Sequence, residues 1–173
     1  MYLGGITMNS HIRLATFDDL EAIMEIYNHA ILHTTAVYTY EPTHIEERRQ
    51  WLAQKQREGY PVFVYESEGE VLGFATYGPF RSWPAYQYTI EHSIYVSPSA
   101  RRQGVASQLL SIVIEDAKVS GYQTIVAGID ASNEGSIKLH EKMDFKHMGT
   151  LEKVGYKFER WLNLAFYQKQ LKS

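Results

Sequence analysis

Residues 88–106 read YTIEHSIYVSPSARRQGVA, and this stretch decides the fold. Its first nine residues are mostly β-branched or aromatic, which favours a strand, and Pro98 ends that strand near Ser97 because proline has no amide hydrogen. Apolar residues then recur at helical spacing from Ala106 to Ala117, and Gly121 is suited to cap the helix end. The sequence therefore predicts a strand, a tight turn and a helix of about five turns.

The turn between this strand and this helix is suited to an anion. The first amide hydrogens of a helix have no intrahelical partner and lie at the positive end of the helix dipole. Gly104 and the small Ala106 let a ligand approach the backbone closely. The Gly-Lys-Ser/Thr of a nucleoside triphosphate loop and the glycine triad of a dinucleotide site are both absent here, so the turn predicts a pyrophosphate site of another kind.

The turn resembles the acetyl-CoA signature Gln/Arg-x-x-Gly-x-Gly/Ala of the GNAT superfamily of N-acetyltransferases, with Arg101, Gly104 and Ala106 at the defined positions. The surrounding order is similar too, because Glu91 lies on the strand before the turn and Asn133 follows the next strand. The stretches 89–96, 139–141 and 155–161 resemble the phosphinothricin acetyltransferase branch. Over about residues 11–168 the resemblance implies an α/β fold, with a central mixed α+β sheet whose splayed strands are flanked by helices.

The resemblance implies acetyl-CoA as co-substrate and no metal. Asn133 either caps its helix or bonds the cofactor, and the family pattern favours the second role. The backbone amide of Val96 is the expected donor to the thioester carbonyl. The implied cofactor contacts are Ile94, Tyr95, Val96, Arg101, Arg102, Gln103, Gly104, Val105, Ala106, Ser107 and Asn133.

A base is needed for the chemistry that the resemblance implies. An alkyl ammonium has a pKa of about 10, so it must lose a proton before it attacks a thioester near neutral pH. Glu91 and His92 are adjacent on a strand and point to opposite faces unless the strand bulges. The resemblance favours Glu91, acting directly or through water, and leaves His92 as a hydrogen-bonded structural imidazole.

His140 stands where many GNAT enzymes have the tyrosine that protonates the departing thiolate, and the phosphinothricin branch shows histidine there. The candidate roles are a catalytic acid, a contact to CoA, or a hydrogen-bonded histidine outside the chemistry. A thiol with a pKa of about 8.5 leaves without much help, so an acid at this position contributes little.

Acceptor recognition is predicted in the segment 79–84, which combines a guanidinium with aromatic side chains. Arg81 and Trp83 can form a site where the guanidinium binds a substrate carboxylate, or else an exposed loop arginine beside a partly buried indole. Tyr40 and Glu41 are expected to complete this pocket. Lys157 and Trp161 also match the resembled branch, but core packing or a subunit contact accounts for these residues as well as a role in acceptor binding does.

Composition bounds the remaining possibilities. The 173 residues predict one domain over 11–173 after a flexible N-terminus at 1–10. The chain has no cysteine, which excludes a thiol nucleophile, and its net charge of −3 gives no broad basic surface for nucleic acid. It lacks an apolar run long enough to span a bilayer, so we expect a cytoplasmic protein without a membrane partner. The resembled branch implies a homodimer.

Helix caps and strand patterns predict further elements before the central stretch. Asp18 and Thr43 are candidate caps of two helices, and the segments 61–67 and 71–77 read as a hairpin. His29 and His33 lie one helical turn apart, but no third metal ligand is evident.

The sequence thus predicts an acetyl-CoA-dependent N-acetyltransferase of a small-molecule amine acceptor, the α-amino group of an amino acid or analogue such as phosphinothricin, methionine sulfoximine or methionine sulfone. The alternatives are acetylation of a protein or a polyamine, and a CoA sensor without catalytic activity.

Overall fold

A computed structural model describes residues 9–172 of the chain. The central stretch folds as predicted, with the strand at 89–96 followed by a turn and a helix. The strands are β1 (Ser10–Leu14), β2 (Val62–Ser67), β3 (Glu70–Pro79), β4 (Thr89–Val96), β5 (Thr124–Asp130), β6 (Lys146–Lys157) and β7 (Arg160–Gln170). The helices are α1 (Leu20–His33), α2 (Ile45–Glu58), α3 (Val105–Val119) and α4 (Glu134–Lys142).

Within the described residues, seven strands form one mixed sheet in the order β1-β2-β3-β4-β5-β7-β6. All neighbouring pairs are antiparallel except β4 and β5, which are the parallel strands of the predicted crossover. These two strands pair only from Thr89 with Thr124 to Glu91 with Val126. Because β4 continues to Val96, its second half has no partner on that side, and a gap opens in the middle of the sheet.

The sheet has a core on each face. On one face Val105, Leu109 and Val113 of α3 are buried against Ile90 and Ile125 of the sheet. On the other face the side chains of α1 and α2 pack on β2 and β3, and that core is Ala15, Leu20, Ile23, Ile26, Leu52, Val62, Val64 and Phe74. The two faces are therefore covered independently, and the gap between β4 and β5 lies between the two cores.

The helix starts differ from the predicted caps. A short 3-10 helix, Phe17–Asp19, leads into α1, and Thr16, not Asp18, caps it, with the Thr16 amide donating to the Asp19 carboxylate at 2.8 Å. At α2 the cap is His44, whose amide donates to Glu47 at 3.2 Å. Thr43 instead donates its amide to the Asn28 side-chain oxygen at 2.8 Å. In both cases the polar residue that begins the helix lies within two positions of the expected one.

Two boundaries also differ from the sequence prediction. The helix α3 has 15 residues, about four turns, where about five were predicted. The strand β1 begins at Ser10, inside the expected flexible N-terminus, while residues 1–8 of that segment lie outside the described residues.

Candidate functional site

A cavity of about 470 Å³ occupies the gap between β4 and β5. The second half of β4 lines it on one side and residues 127–130 of β5 on the other, with Asn133 and His140 of the α4 region behind. A second cavity of about 570 Å³ adjoins it and shares Ala36, Asn133 and Arg101 as walls. Together the two cavities form one cleft, which we call the central cleft.

The backbone of β4 is available to a ligand at alternate residues. The Ser97 amide donates to the Leu72 carbonyl at 2.8 Å, so in this antiparallel ladder Tyr95 also bonds β3, whereas Ile94 and Val96 direct their amides the other way. That other side faces the gap left by β5. Of the three predicted backbone contacts, Ile94 and Val96 are therefore free to pair with an extended ligand, and the Tyr95 backbone is committed to β3.

The predicted pyrophosphate turn lies at the start of α3. Arg102 and Gly104 have φ angles of 64° and 78°, a left-handed conformation that glycine adopts without strain, and Gly104 is the residue before the first helical turn. Arg101 lines both cavities of the central cleft and Ala106 lines the first. Gln103 is exposed, and its side chain donates to the Ser99 carbonyl at 3.3 Å.

The last three residues of the predicted pyrophosphate contacts, Val105, Ala106 and Ser107, lie inside the helix α3. Val105 is 2% exposed and belongs to the core, so its side chain serves packing, while its amide belongs to the first helical turn. Ser107 is half-buried one turn in.

Glu91 lies on the rim of the central cleft on the face of β4 opposite to His92. The β3–β4 ladder runs without a bulge, so the two side chains point to opposite faces. Burial raises the pKa of Glu91, and the charge of Arg81 opposes that rise. Across the gap is Gly128, where an added Cβ would lie 3.6 Å from the Glu91 Oε1. The carboxylate is thus held in a poorly solvated position with space in front of it.

His92 and His140 form a buried pair on the opposite face. Their Nε2 atoms are 3.0 Å apart, and His140 Nδ1 donates to the Ser136 carbonyl at 2.7 Å. The Ser136 carbonyl can only accept, so we assign the His140 proton to Nδ1 and the proton between the two rings to His92 Nε2. His92 Nδ1 makes no hydrogen bond of normal geometry, although the Val126 backbone lies close enough to raise the His92 pKa slightly against the effect of burial. Burial lowers the pKa of both, that of His92 to about 3. Both ring nitrogens of His140 are therefore engaged.

Asn133 caps α4 and lies in the cleft at the same time. Its side-chain oxygen accepts from the Ser136 amide at 3.1 Å, which is the capping role that the sequence left open. Asn133 also lines both cavities, so its amide nitrogen remains available to a ligand there.

Arg81 lines a third cavity of about 350 Å³. Its walls are mostly apolar or aromatic, with Phe80, Tyr86, Met148 and Phe166 among them, and Thr89, Thr124 and Gln168 add polar groups. The Arg81 guanidinium lies 5.1 Å from the centre of the Phe80 ring. We call this cavity the arginine pocket, and its chemistry suits a small ligand with one carboxylate and an apolar body.

The other three predicted acceptor residues do not join Arg81 in this pocket. Trp83 is 65% exposed, and the prediction of a partly buried indole at this position is wrong. Tyr40 donates its hydroxyl to the Tyr156 carbonyl. Glu41 lines a separate groove with Tyr38 and other residues of the α1–α2 connection.

Sequence reasoning missed two parts of the cleft. Asp130 is 7% exposed, lines the first cavity and accepts from the amide and hydroxyl of Ser132 at 2.8 and 2.6 Å, which shapes the turn before α4. An Asp two residues before a Ser after a strand is a recognisable turn signal. The segment 34–36 also lines the cleft, and nothing in its sequence indicates this.

Two further findings concern residues 9–172. None of the helices in this range is long and apolar enough to cross a membrane. The same range contains no group of three or more His, Cys, Asp or Glu side chains that is placed to hold a metal ion.

Known proteins resemble this chain over nearly its whole length. The family model described as acetyltransferase (GNAT) family matches residues 20–145. The L-methionine sulfoximine/L-methionine sulfone acetyltransferase of Salmonella typhimurium is 43% identical over 92% of this chain and 94% of its own length. A Staphylococcus aureus N-acetyltransferase structure superposes with a TM-score of 0.94 at 64% identity, covering 95% of this chain and 99% of that one.

A second solved structure adds a ligand to the comparison. A phosphinothricin acetyltransferase of Sinorhizobium meliloti, solved in complex with acetyl-CoA, has a TM-score of 0.91 at 34% identity and covers 94% of this chain and 89% of that one.

Proposed function

Because this chain belongs to the GNAT family of acetyltransferases, we propose that it transfers an acetyl group from acetyl-CoA to the α-amino group of a small amino acid or analogue. The candidates are methionine sulfone, methionine sulfoximine and phosphinothricin, the compounds named for its relatives. One observation carries the proposal. Glu91 lies on the rim of the central cleft, and its strand partner Val126 lines the arginine pocket, so the carboxylate stands between the two cavities.

The central cleft fits acetyl-CoA, which supplies an activated acetyl thioester when bound. The free backbone groups of Ile94 and Val96 pair with the amides of the pantetheine arm as an added strand would. The left-handed turn at Arg102 and Gly104 and the first amides of α3 bind the pyrophosphate, with Arg101 beside it. The amide nitrogen of Asn133 completes the contact from the other wall.

Glu91 removes the proton that the acceptor ammonium must lose before it attacks. Burial raises the pKa of this carboxyl, which makes its ionised form a stronger base than an exposed glutamate. The Val96 amide donates to the acyl oxygen, where negative charge develops during attack.

His140 supports this site without serving as its acid. A proton donor to the departing thiolate needs a proton on the nitrogen that faces it, and the Nε2 of His140 already accepts the His92 proton. We assign His140 to the alignment of α4 beside the cleft. The thiolate leaves unassisted, as a pKa of about 8.5 allows.

The arginine pocket selects the acceptor. The Arg81 guanidinium binds the substrate carboxylate, and the aromatic and methionine walls take the side chain. A polyamine has no carboxylate for Arg81, and the residues that line this pocket include no acid to attract a polycation. Trp83, Tyr40 and Glu41 lie outside this pocket and have no acceptor contact in this proposal.

We also propose a homodimer in the cytoplasm, where acetyl-CoA is available. The edge strand β6 and its hairpin expose several apolar side chains that a second copy could cover. The exposed apolar residues of the hairpin are Met148, Leu151, Val154, Tyr156, Phe158 and Trp161. Sedimentation equilibrium tests the dimer, and a monomer mass at micromolar concentration would contradict it.

Thiol release from acetyl-CoA tests the proposed function. Methionine sulfone, phosphinothricin, spermidine and a peptide serve as acceptors, and Glu91→Gln runs beside the parent protein. Fast release with the amino acids that collapses in the variant supports the proposal. Thiol release only with the peptide or only with spermidine would assign the enzyme to that class of acceptor instead. Binding of acetyl-CoA without thiol release in the presence of any of these amines would favour a CoA sensor.

A further inference from the structure

The face of β4 that carries Glu91 also carries two hydroxyl groups. Side chains alternate along β4 without a bulge, so Glu91, Ser93 and Tyr95 lie on one face, and His92 and Ile94 lie on the other. Ser93 is half-buried and lines the first cavity together with Glu91 and Tyr95. Ser93 therefore lies in the central cleft, between the base and the end of the strand where the acyl group is placed.

Ser93 divides the distance that the proton has to cover. An antiparallel strand rises about 3.4 Å per residue, so Ser93 lies about 7 Å from Glu91 and about 10 Å from Val96 along the strand. One water molecule joins two oxygen atoms about 5.5 Å apart, at about 2.8 Å from each. Without Ser93, water alone would have to bridge the whole path from the acceptor amine to the carboxylate.

The neighbours of Ser93 on both sides leave its hydroxyl to the cleft. Thr76, its partner on β3, donates its own hydroxyl to the Pro61 carbonyl at 2.7 Å, so that hydrogen is not available to Ser93. On the side of β5, Gly128 has no side chain, and an added Cβ there would lie 3.6 Å from the Glu91 Oε1. The glycine thus leaves space for water beside the carboxylate.

The Tyr95 phenol lies next to the Ser93 hydroxyl. Burial raises the pKa of Tyr95 to about 12, while a side-chain hydrogen bond with Ser93 opposes this rise and the charge of Glu91 adds to it. The phenol therefore keeps its proton at neutral pH. A serine hydroxyl accepts and donates hydrogen bonds at the same time, which is what the transfer of a proton along a chain of oxygen atoms requires.

We propose that Ser93 relays the proton from the acceptor amine to Glu91 through water. The inference rests on the proposed function and adds a residue to its proton path. The Ser93 oxygen receives a proton from the amine side as the Ser93 hydrogen passes, through water, to the Glu91 carboxylate. The serine ends unchanged, Glu91 ends protonated, and the neutral amine attacks the thioester. Ser93 acts through Glu91 and is a positioning residue for the proton path.

A matched pair of variants isolates the hydroxyl. Threonine and valine have nearly the same shape and both suit a strand, but only threonine carries a hydroxyl. Thiol release with methionine sulfone gives kcat/KM from about pH 6 to about pH 10 for the parent, Ser93→Thr and Ser93→Val, with acetyl-CoA saturating. Ser111→Val, at an exposed position of α3, is the control for the substitution itself and should keep the parent profile.

The Ser93→Val variant can use only the amine that is already neutral in solution. Near pH 7 its kcat/KM should lie about 10–100-fold below that of Ser93→Thr, which restores the hydroxyl. The difference should shrink as the pH rises towards the amine pKa of about 10, because the amine then needs no base. The dissociation constant of acetyl-CoA should be the same for both variants, so that the loss lies in proton transfer.

The other charges near this path are common to the two Ser93 variants, so their titration cancels in the ratio of Ser93→Thr to Ser93→Val. Burial lowers the pKa of Lys55 to about 8, and its Nζ would lie 3.2 Å from a Cβ at Gly78, the strand partner of Glu91. The remaining charged or titratable side chains around the path are Arg81, Arg48, Tyr27, Asp130, His29 and His33.

A difference of the same size at every pH would overturn the inference, because it would point to packing and not to proton transfer. Equal profiles of Ser93→Thr and Ser93→Val would overturn it as well. If Ser93→Val does not fold, Ser93→Ala is compared with the parent, and a parent profile in that variant rejects the relay. A parent that acetylates neither methionine sulfone nor phosphinothricin fails the proposed function itself, whereas parent turnover with equal variant profiles rejects only the relay.

Discussion

Two glycines of neighbouring parts of the sheet should respond in opposite ways to the same substitution. Gly73 on β3 is buried, and a Cβ there would lie 3.0 Å from Val105 Cγ1, 3.1 Å from the Tyr95 carbonyl oxygen and 3.2 Å from Leu109 Cδ1. Gly128 on β5 faces the central cleft, and its Cβ would meet no atom closer than 3.4 Å. Neither residue requires a positive φ, so the difference is one of space.

The magnitude follows from these distances. At Gly73 the backbone oxygen cannot move without breaking the β3–β4 ladder, so α3 must shift outward, and overpacking of this kind costs about 1–3 kcal/mol. For a domain of this size that corresponds to a fall in Tm of about 2–12 °C. Gly128→Ala makes only ordinary contacts and restricts the unfolded chain, so we expect unchanged stability or a gain of up to about 1 kcal/mol.

Thermal and urea unfolding of the two variants beside the parent protein measure this difference. The Gly73→Ala variant should also bind acetyl-CoA more weakly, because Val105 directly follows the pyrophosphate turn. Equal stability of Gly73→Ala and the parent, together with a loss in Gly128→Ala, would falsify the packing argument. An equal loss of stability in both variants would mean that replacing a glycine in a strand lowers stability whatever space surrounds the new Cβ.

Three further predictions concern the site. Glu91→Gln should lower kcat by about 10²–10⁴-fold. In the parent protein, the acid limb of the pH profile of kcat/KM should lie above the ordinary carboxyl range, because burial raises the pKa of Glu91. An acid limb within the ordinary carboxyl range would argue against Glu91 as the base. Arg81→Met should raise KM for methionine sulfone about 10–150-fold, from a lost charged hydrogen bond of about 1.5–3 kcal/mol, and leave KM for the uncharged carboxamide of methionine sulfone unchanged. His92→Phe should lower stability at pH 7 by about 1–3 kcal/mol by removing the partner of His140. Since the folded pKa of His92 is about 3 and its ordinary value is 6.5, the parent should lose stability as pH falls from 6.5 towards 3, and the variant should lose less over that window in urea unfolding series.

The sequence predicted those features that depend on local patterns. The strand at 89–96, the turn at 101–104 and the amphipathic helix after it all follow from residue type and spacing, and the structure confirms each of them. The opposite orientations of Glu91 and His92 also follow from strand geometry alone, once the absence of a bulge is known.

The sequence could not predict the features that depend on contacts between residues far apart in the chain. The expectation that Tyr40 and Arg81 share one pocket assumed that two aromatic, polar loops converge, yet the Tyr40 hydroxyl bonds a strand 116 residues away. The His92–His140 bond joins residues 48 apart, and no local pattern indicates that one histidine occupies the acceptor nitrogen of the other. The contacts of Lys157 with the carbonyls of Thr34 and Val37 span 123 and 120 residues.

The divergence of β4 from β5 explains why one strand carries two different kinds of contact. Before the divergence, the side chain of Glu91 and the backbone beside it are fixed by neighbours on both sides, which gives the carboxylate a defined direction. After it, the amides of Ile94 and Val96 lose their strand partner, and an unpaired amide in a cleft is a binding site because leaving it unsatisfied costs free energy. Residues 91 and 96 are five apart, about 16–17 Å along an extended strand. In the proposed mechanism this separation is more than one amine nitrogen can span, so we expect the proton to pass from the acceptor amine to Glu91 through water rather than directly.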